Sequence, residues 1–566
     1  MKKLFILLLA VAGMGTQLPL RAQLLDGAPK AFTHQDTLRG TDGPARSWWN
    51  VTRYDISFQP DYTTKTIKGV TKIGFTVTAA KAHPDTMQID LMRPLQIDSI
   101  ILPDGSRITG IRDDGNAHMV PVPKWPQGTN SSLTIYYHGS PIEAVKPPWD
   151  GGFIWAKDSL GRPWMSVACQ GMGASVWYPC KDYQGDEPDN GASLTSIVPD
   201  TLLAIGNGHL IAKTRYPDHL TGYTWQVKNP INNYDIIPYI GKYTFFDSSY
   251  QGEKGRLPVS FWALDYDIDK MRSHCEPDVF KMLKAFEYWF GPYPFYEDGY
   301  KLVQAPHLGM EHQSAIAYGN HFLMGYSGRD LSHTGIGLKF DFIVVHESGH
   351  EWFGNNITTK DIADMWVHES FTNYSETLFT EYYWGKAAGQ QYVNGIRANI
   401  ENDRPIQGHY GVNQEGSGDM YYKGANMINN IRNAINSDSL FRSILRGLNE
   451  TFYHQTVTGR QIEQYINEKS NINFDKVFEQ YLTTTQIPVF EIKFSSDNKS
   501  VQYRYSNCVA GFDMPMVLTS TDQQTQISLH PTTAWQSAKL PTAAIANLFN
   551  PIAIEYQYYL DCKEVH

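Results

Sequence analysis

Apolar and polar positions follow two rhythms along this chain, and the change between them divides it. From residue 48 to about 250 the rhythm is two. Tyr54-Asp55-Ile56-Ser57-Phe58 alternates, and Thr71, Ile73, Phe75 and Val77 share a face opposite Val70, Lys72, Gly74 and Thr76. Such alternation predicts half-buried strands. Further strands are expected over 87–91, 97–102 and 133–137, with turn signals such as Pro103-Asp104-Gly105 between them. Little helical spacing appears before about residue 265, so 48–250 reads as a mostly antiparallel β domain.

The rhythm then becomes helical. Val279, Met282, Leu283, Phe286 and Phe290 recur at helical spacing, and Gly291-Pro292 ends the run. A helix is predicted over 425–435, with Met427, Ile428, Ile431 and Ile435 on one side, and others over 440–448, 462–466 and 474–482. After Pro488 the alternation returns at 489–494, 501–505, 527–529 and 552–559. The expected fold is multidomain α+β: a β domain (48–250), a mostly helical domain (251–486) and a small β-sandwich (487–566). Residues 23–47, polar and punctuated by Gly and Pro, read as a leader or linker.

The helical stretch holds the chemistry. His346-Glu347-Ser348-Gly349-His350 puts two imidazoles at i and i+4, on one face of a helix. Phe342 to Val345 lead into that helix, and Gly354-Asn355-Asn356 is a stop signal. A second helix, from about Met365 to Tyr383, carries Glu369, and two turns on it carries Glu376. His346, His350 and Glu369 form a three-ligand zinc set that leaves a fourth position for water. Glu347 is then placed to act as general base on that water. Glu376 is a candidate acceptor for the second nitrogen of a ligand imidazole. Asp364 is expected to cap the second helix.

Composition narrows the remaining classes. The chain has 566 residues, more than one core can use, with 42% hydrophobic and 13% aromatic residues. A net charge of -10 without a basic tract argues against a nucleic-acid partner. Lys2-Lys3 followed by the short apolar run from Phe5 to Val11 reads as a signal peptide over 1–22, with cleavage near Ala22-Gln23. No later stretch is apolar enough for a membrane anchor, so the mature chain is expected to be soluble and exported, periplasmic or secreted. Five cysteines are too few for a disulfide scaffold; Cys169 with Cys180, and Cys508 with Cys562, are equally candidates for pairs or for buried thiols.

These residues resemble the gluzincin zinc aminopeptidases, the aminopeptidase N and leukotriene hydrolase family. Leu308-Gly309-Met310-Glu311-His312 resembles the family's Gly-Ala-Met-Glu-Asn exopeptidase motif. Tyr421-Tyr422-Lys423-Gly424 resembles its Tyr-x-Lys-Gly motif, and Trp366-Val367-His368-Glu369-Ser370-Phe371 its Trp-Leu-Asn-Glu-Gly-Phe segment. Phe290-Gly291-Pro292-Tyr293-Pro294, and Pro179-Cys180-Lys181-Asp182 following Gln170, resemble further family segments, so the likeness covers most of 50–490. Leu308, His312 and His368 depart from the pattern, standing where the family has Gly, Asn and Asn.

The resemblance implies a β saddle, a thermolysin-like catalytic domain and a β-sandwich, without the long helical C-terminal domain of larger members. It implies one zinc ion per chain and peptide substrates with a free N-terminus. Tyr421 is implied as oxyanion donor, with Tyr422 as its register rival. Glu311 is implied as the acceptor of the substrate α-ammonium, with Gln170 as a second amine contact and Gly309 and Met310 beside them. His307 and His312, which flank the Met310-Glu311 pair, are expected to shape the cleft or to satisfy loop carbonyls. The function expected is an aminopeptidase. The alternatives are a thermolysin-type endopeptidase, which has no use for Glu311, and a non-catalytic exported peptide-binding protein.

Overall fold

The computed structural model describes residues 31–79, 83–520 and 524–565. The signal segment expected over 1–22 lies outside the described residues.

The N-terminal unit is built on a seven-stranded sheet. Its central strand, Trp49–Asp61, buries alternate residues and pairs antiparallel with Thr66–Val77. Its other neighbour, Ala192–Pro199, runs parallel to it, an exception to the antiparallel expectation. A four-stranded and a three-stranded sheet complete this unit.

The boundary expected at residue 250 does not hold. Strands Tyr243–Gly252 and Gly255–Leu264 form one hairpin, and both belong to the five-stranded sheet of the following domain. The alternating rhythm is the same on both sides of this hairpin, so the pattern gave no sign of a change of sheet. The sheet continues through Tyr300–Gln304 and Ile316–Tyr318 to an edge strand, Gly309–Met310.

The pleat of this sheet places it between two cores. Phe261, Leu302, Ile316 and Tyr318 pack with the helices of the helical domain. Trp262, Val303, Met310 and Ala317 pack with the N-terminal β unit. The edge strand is thus held from both sides.

The segment read as a leader or linker is partly ordered into the fold. His34–Gly40 is a helix, started by a capping box between Thr33 and Asp36. Arg46, fully buried, pairs with Asp90 and donates to the carbonyls of Arg39 (2.8 Å) and Thr41 (3.1 Å). The helix has no buried residue and so no apolar stripe, which is why the segment read as a linker.

The C-terminal β-sandwich has a four-stranded and a two-stranded sheet, and Phe490, Ile492, Met516 and Leu518 share a core that runs into the helical domain. Residues 552–559, expected as a strand, are mostly helical. Pro551–Gln557 is a helix because Asn550 caps it, accepting from the amides of Ile552 (2.9 Å) and Ala553 (3.4 Å), with Pro551 in its first turn. All five cysteines are free thiols, so neither candidate disulfide is formed.

Candidate active site

The helix carrying the two imidazoles is Phe342–Gly349. Asp341 caps it, accepting from the amides of Ile343 (3.1 Å) and Val344 (3.3 Å). The same carboxylate accepts from Tyr318 (2.7 Å) and Asn320 (2.8 Å), which ties the helix start to the sheet. Gly349 lets the second helix, Trp366–Trp384, pass close by: a Cβ there would lie 2.8 Å from Ser375 Oγ. Gly354, at φ 138°, turns the chain back so that the Phe353 carbonyl faces His350.

These approaches converge three donor atoms. His350 Nε2 lies 3.3 Å, and His346 Nε2 3.9 Å, from Glu369 Oε2. Two ligands at tetrahedral angles around one zinc ion, each ~2.0–2.1 Å from it, are separated by roughly 3.3 Å. The second ring nitrogens are already engaged. His346 Nδ1 donates to Glu376 Oε1 (2.7 Å), and His350 Nδ1 donates to the Phe353 carbonyl (3.0 Å). Each imidazole therefore turns its Nε2 to the common point, where a metal ion would take the place of a proton. Glu369 Oε2 is buried without a hydrogen bond of good geometry. The donor set fits a zinc ion.

The surrounding cavity, about 100 Å³, is acidic among the described residues, and the Glu369 and Glu311 charges outweigh burial to hold the His350 ring up at about 10. Glu311, Glu347, Glu369 and Glu415 line it and no Lys or Arg does. Burial, and then the Glu311 charge, pushes Glu347 well above the usual carboxylate range, and burial raises Glu311. A cation among these groups lowers both.

Glu311 is 3% exposed and lines the cavity. Its Oε1 accepts from Gln170 Nε2 (2.6 Å) and from Tyr234 OH (2.9 Å). Donor atoms of Glu311, Glu347 and His350 lie within 4.8 Å of one another. Gly309 is pressed against Glu347, since a Cβ there would come within 2.6 Å of Glu347 Oε1. Gly309 and Met310 lie on the edge strand and line the cavity.

Tyr421 lies on the cavity wall, its ring centroid 6.0 Å from that of His346, and Tyr422 does not line the cavity. It stands at the start of helix Tyr422–Ile435. Ser370, next to the ligand Glu369, donates to the Met420 carbonyl (2.7 Å), and a Cβ on Gly424 would overlap Ser370 Oγ at 1.9 Å. That position accepts glycine alone if the helix is to sit this close. Lys423 points away and donates to the Thr484 carbonyl (2.8 Å).

Two residues reach the site that the sequence reading did not single out. Tyr234 shares Glu311 with Gln170, and Glu415, near Gly171, adds a fourth carboxylate. Both come from segments without a motif. Asp364 does not cap the second helix; it accepts from the Gly459 amide (2.8 Å) and from Tyr410 OH (2.8 Å), because Asp361 caps the preceding turn. His307 lies outside this cavity, and His312 is packed behind it against Tyr239.

Residues 277–481 match the Peptidase family M1 domain. Endoplasmic reticulum aminopeptidase 1 of Homo sapiens is 22% identical over 427 residues, 71% of this chain and 44% of that protein. Aminopeptidase N of Lactobacillus helveticus is 24% identical over 226 residues, 36% of this chain and 26% of that protein. The chain thus spans less than half the length of these relatives. The fold is similar to that of an M1 zinc metallopeptidase of Deinococcus radiodurans solved with a Tyr-Ser-Ala substrate. The TM-score is 0.64 and the identity 18%, over 78% of this chain and 95% of that one.

Proposed function

We propose that this chain, which belongs to peptidase family M1 of the gluzincin aminopeptidases, is a zinc aminopeptidase that removes N-terminal residues from peptides. His346, His350 and Glu369 hold one zinc ion per chain. Such an ion supplies Lewis acidity and lowers the pKa of a bound water toward ~7. Glu347 takes the proton of the attacking water on its carboxylate and later passes it to the leaving amine. Tyr421 donates its hydroxyl hydrogen to the developing oxyanion. Glu376 holds His346 in the tautomer that leaves Nε2 free. The unpaired outer edge of strand Gly309–Met310 is available to the substrate backbone.

The observation that carries this reading is the buried Glu311 carboxylate on the cavity wall, steadied by Gln170 and Tyr234. A desolvated carboxylate binds an α-ammonium through a charge-assisted hydrogen bond. An internal segment of a peptide has no charge to offer there, which argues against an endopeptidase. The test is a matched pair of peptides, free and N-acetylated, assayed on wild type and Glu311→Ala. Wild type should strongly prefer the free peptide. The variant should keep zinc and lose ~30- to several-thousand-fold in turnover of the free peptide, the cost of unpairing a buried charge. Equal cleavage of both peptides by wild type sinks the reading.

We further propose that the protein is exported, on the strength of Lys2-Lys3 and the apolar run from Phe5 to Val11. Among the described residues no helix is long and apolar enough to cross a membrane.

A further inference from the structure

A larger cavity of about 510 Å³ adjoins the first, and Trp149 and Leu308 line both. The two differ in charge. The first is lined by carboxylates without a Lys or Arg, and the second by Lys157, Arg329, His307 and His321 without an Asp or Glu. Lys157 and Arg329 are exposed, and neither forms an ion pair among the described residues. His307 is 5% exposed and lies beside the Gly309 backbone, yet neither ring nitrogen makes a well-formed hydrogen bond. A buried polar side chain that the protein leaves weakly partnered on the wall of a cavity can take a ligand as its partner.

The chain direction of the edge strand orders the two cavities. Glu311 marks the amine end. Gly309 lies against Glu347, the group that handles the proton of the scissile bond. Leu308, His307 and Pro306 come next, and all three line the second cavity. A peptide anchored at Glu311 therefore sends its leaving portion into that cavity. A strand advances ~3.3 Å per residue, so the first or second residue beyond the scissile bond reaches it.

We propose that the second cavity binds the C-terminal carboxylate of short peptides through Arg329 and Lys157, with His307 as a further donor. The enzyme then favours peptides of two or three residues. This rests on the aminopeptidase reading above. Arg329 offers a planar fork to the carboxylate and Lys157 a point charge. A longer peptide puts a neutral amide where the carboxylate would sit and leaves both cations unpaired.

The test compares a tripeptide with its C-terminal amide, on zinc-loaded wild type, Arg329→Ala, Lys157→Ala and the double variant. An aminoacyl-arylamide, which has no carboxylate, reports whether the protein is an aminopeptidase. Binding of a dipeptide and of its amide is followed by calorimetry in parallel. Wild type should favour the acid by about 10-fold or more in kcat/KM, through KM, and bind the dipeptide acid more tightly than its amide. Both ratios should fall toward one in the double variant. If wild type cleaves the arylamide but treats acid and amide alike, the subsite is overturned and the aminopeptidase reading stands. If no free-amine substrate is turned over, that reading falls and the binding arm decides the cavity: tighter acid binding upholds it, equal binding overturns it.

Discussion

Glu376 offers a direct test of how the ligand set is held. It is fully buried and accepts from three donors: His346 Nδ1 (2.7 Å), Asn373 Nδ2 (3.0 Å) and Tyr392 OH (2.6 Å). Alanine would leave all three unpaired, at ~1–3 kcal/mol each. That total, roughly 3 to 9 kcal/mol, rivals the whole stability of a domain. Glu376→Gln is the informative change. The amide oxygen still accepts from His346 and Asn373, and the Tyr392 hydroxyl can turn to accept from the new NH2. What is lost is the charge, which burial opposes and a zinc ion on His346 would favour. A hydrogen bond to a charged group exceeds a neutral one by about 1 to 1.5 kcal/mol, which is roughly five- to tenfold in affinity. Outer partners of this kind are worth ~10–100-fold in metal binding, so Glu376→Gln should weaken zinc binding by that factor. The assay is competition for zinc against a chromophoric chelator, with near-ultraviolet circular dichroism to verify the fold. A folded Glu376→Gln protein with unchanged zinc affinity would refute the idea that this carboxylate tunes the His346 ligand.

Two further outcomes are expected at the reacting atoms. Glu347→Gln should retain zinc by metal analysis and lose at least ~100-fold in peptide turnover, since it removes the proton carrier and keeps the shape. Tyr421→Phe should cost ~2.7 to 4 kcal/mol in transition-state stabilisation, expressed mainly in kcat, and Tyr422→Phe should not reproduce that loss.

Features that depend on near neighbours in the chain were legible. The i, i+4 histidines and the alternating faces of Trp49–Asp61 and Thr66–Val77 are short-range patterns. The placement of Glu311 and Tyr421 was legible through resemblance, because an edge strand and a helix start carry no periodicity of their own. Tyr234 and Glu415 were invisible for a different reason. Each reaches the cavity from a loop that tertiary packing alone brings there, and neither stands in a motif. The hairpin across residue 250 shows the same limit: rhythm reports that a segment is a strand and not which sheet it joins. At Pro551–Gln557, apolar residues that looked strand-like are partly exposed, Ile552 by 79%, so the cap at Asn550 decides the structure instead of burial.

The departures from the family pattern divide by where they point. His312 is fully buried. The Tyr239 hydroxyl donates to the Ala315 carbonyl (2.7 Å), so at 2.6 Å it accepts from His312 Nδ1–H. Burial holds that ring neutral. His368 turns its Nε2 to the Thr359 amide and accepts from it at 2.9 Å. Neither ring lines the cavity at the zinc ligands, so both departures act on the frame of the site. Leu308 differs from these two. It packs against the catalytic core and lines both cavities, at the junction a leaving peptide would cross. A glycine there would leave the passage open, whereas a leucine side chain narrows it between the acidic end and the basic end. Of the three departures, Leu308 is the one whose side chain a substrate would touch. It lies where the proposed preference for short peptides would be set, so the departure and the second cavity belong to one feature of the cleft.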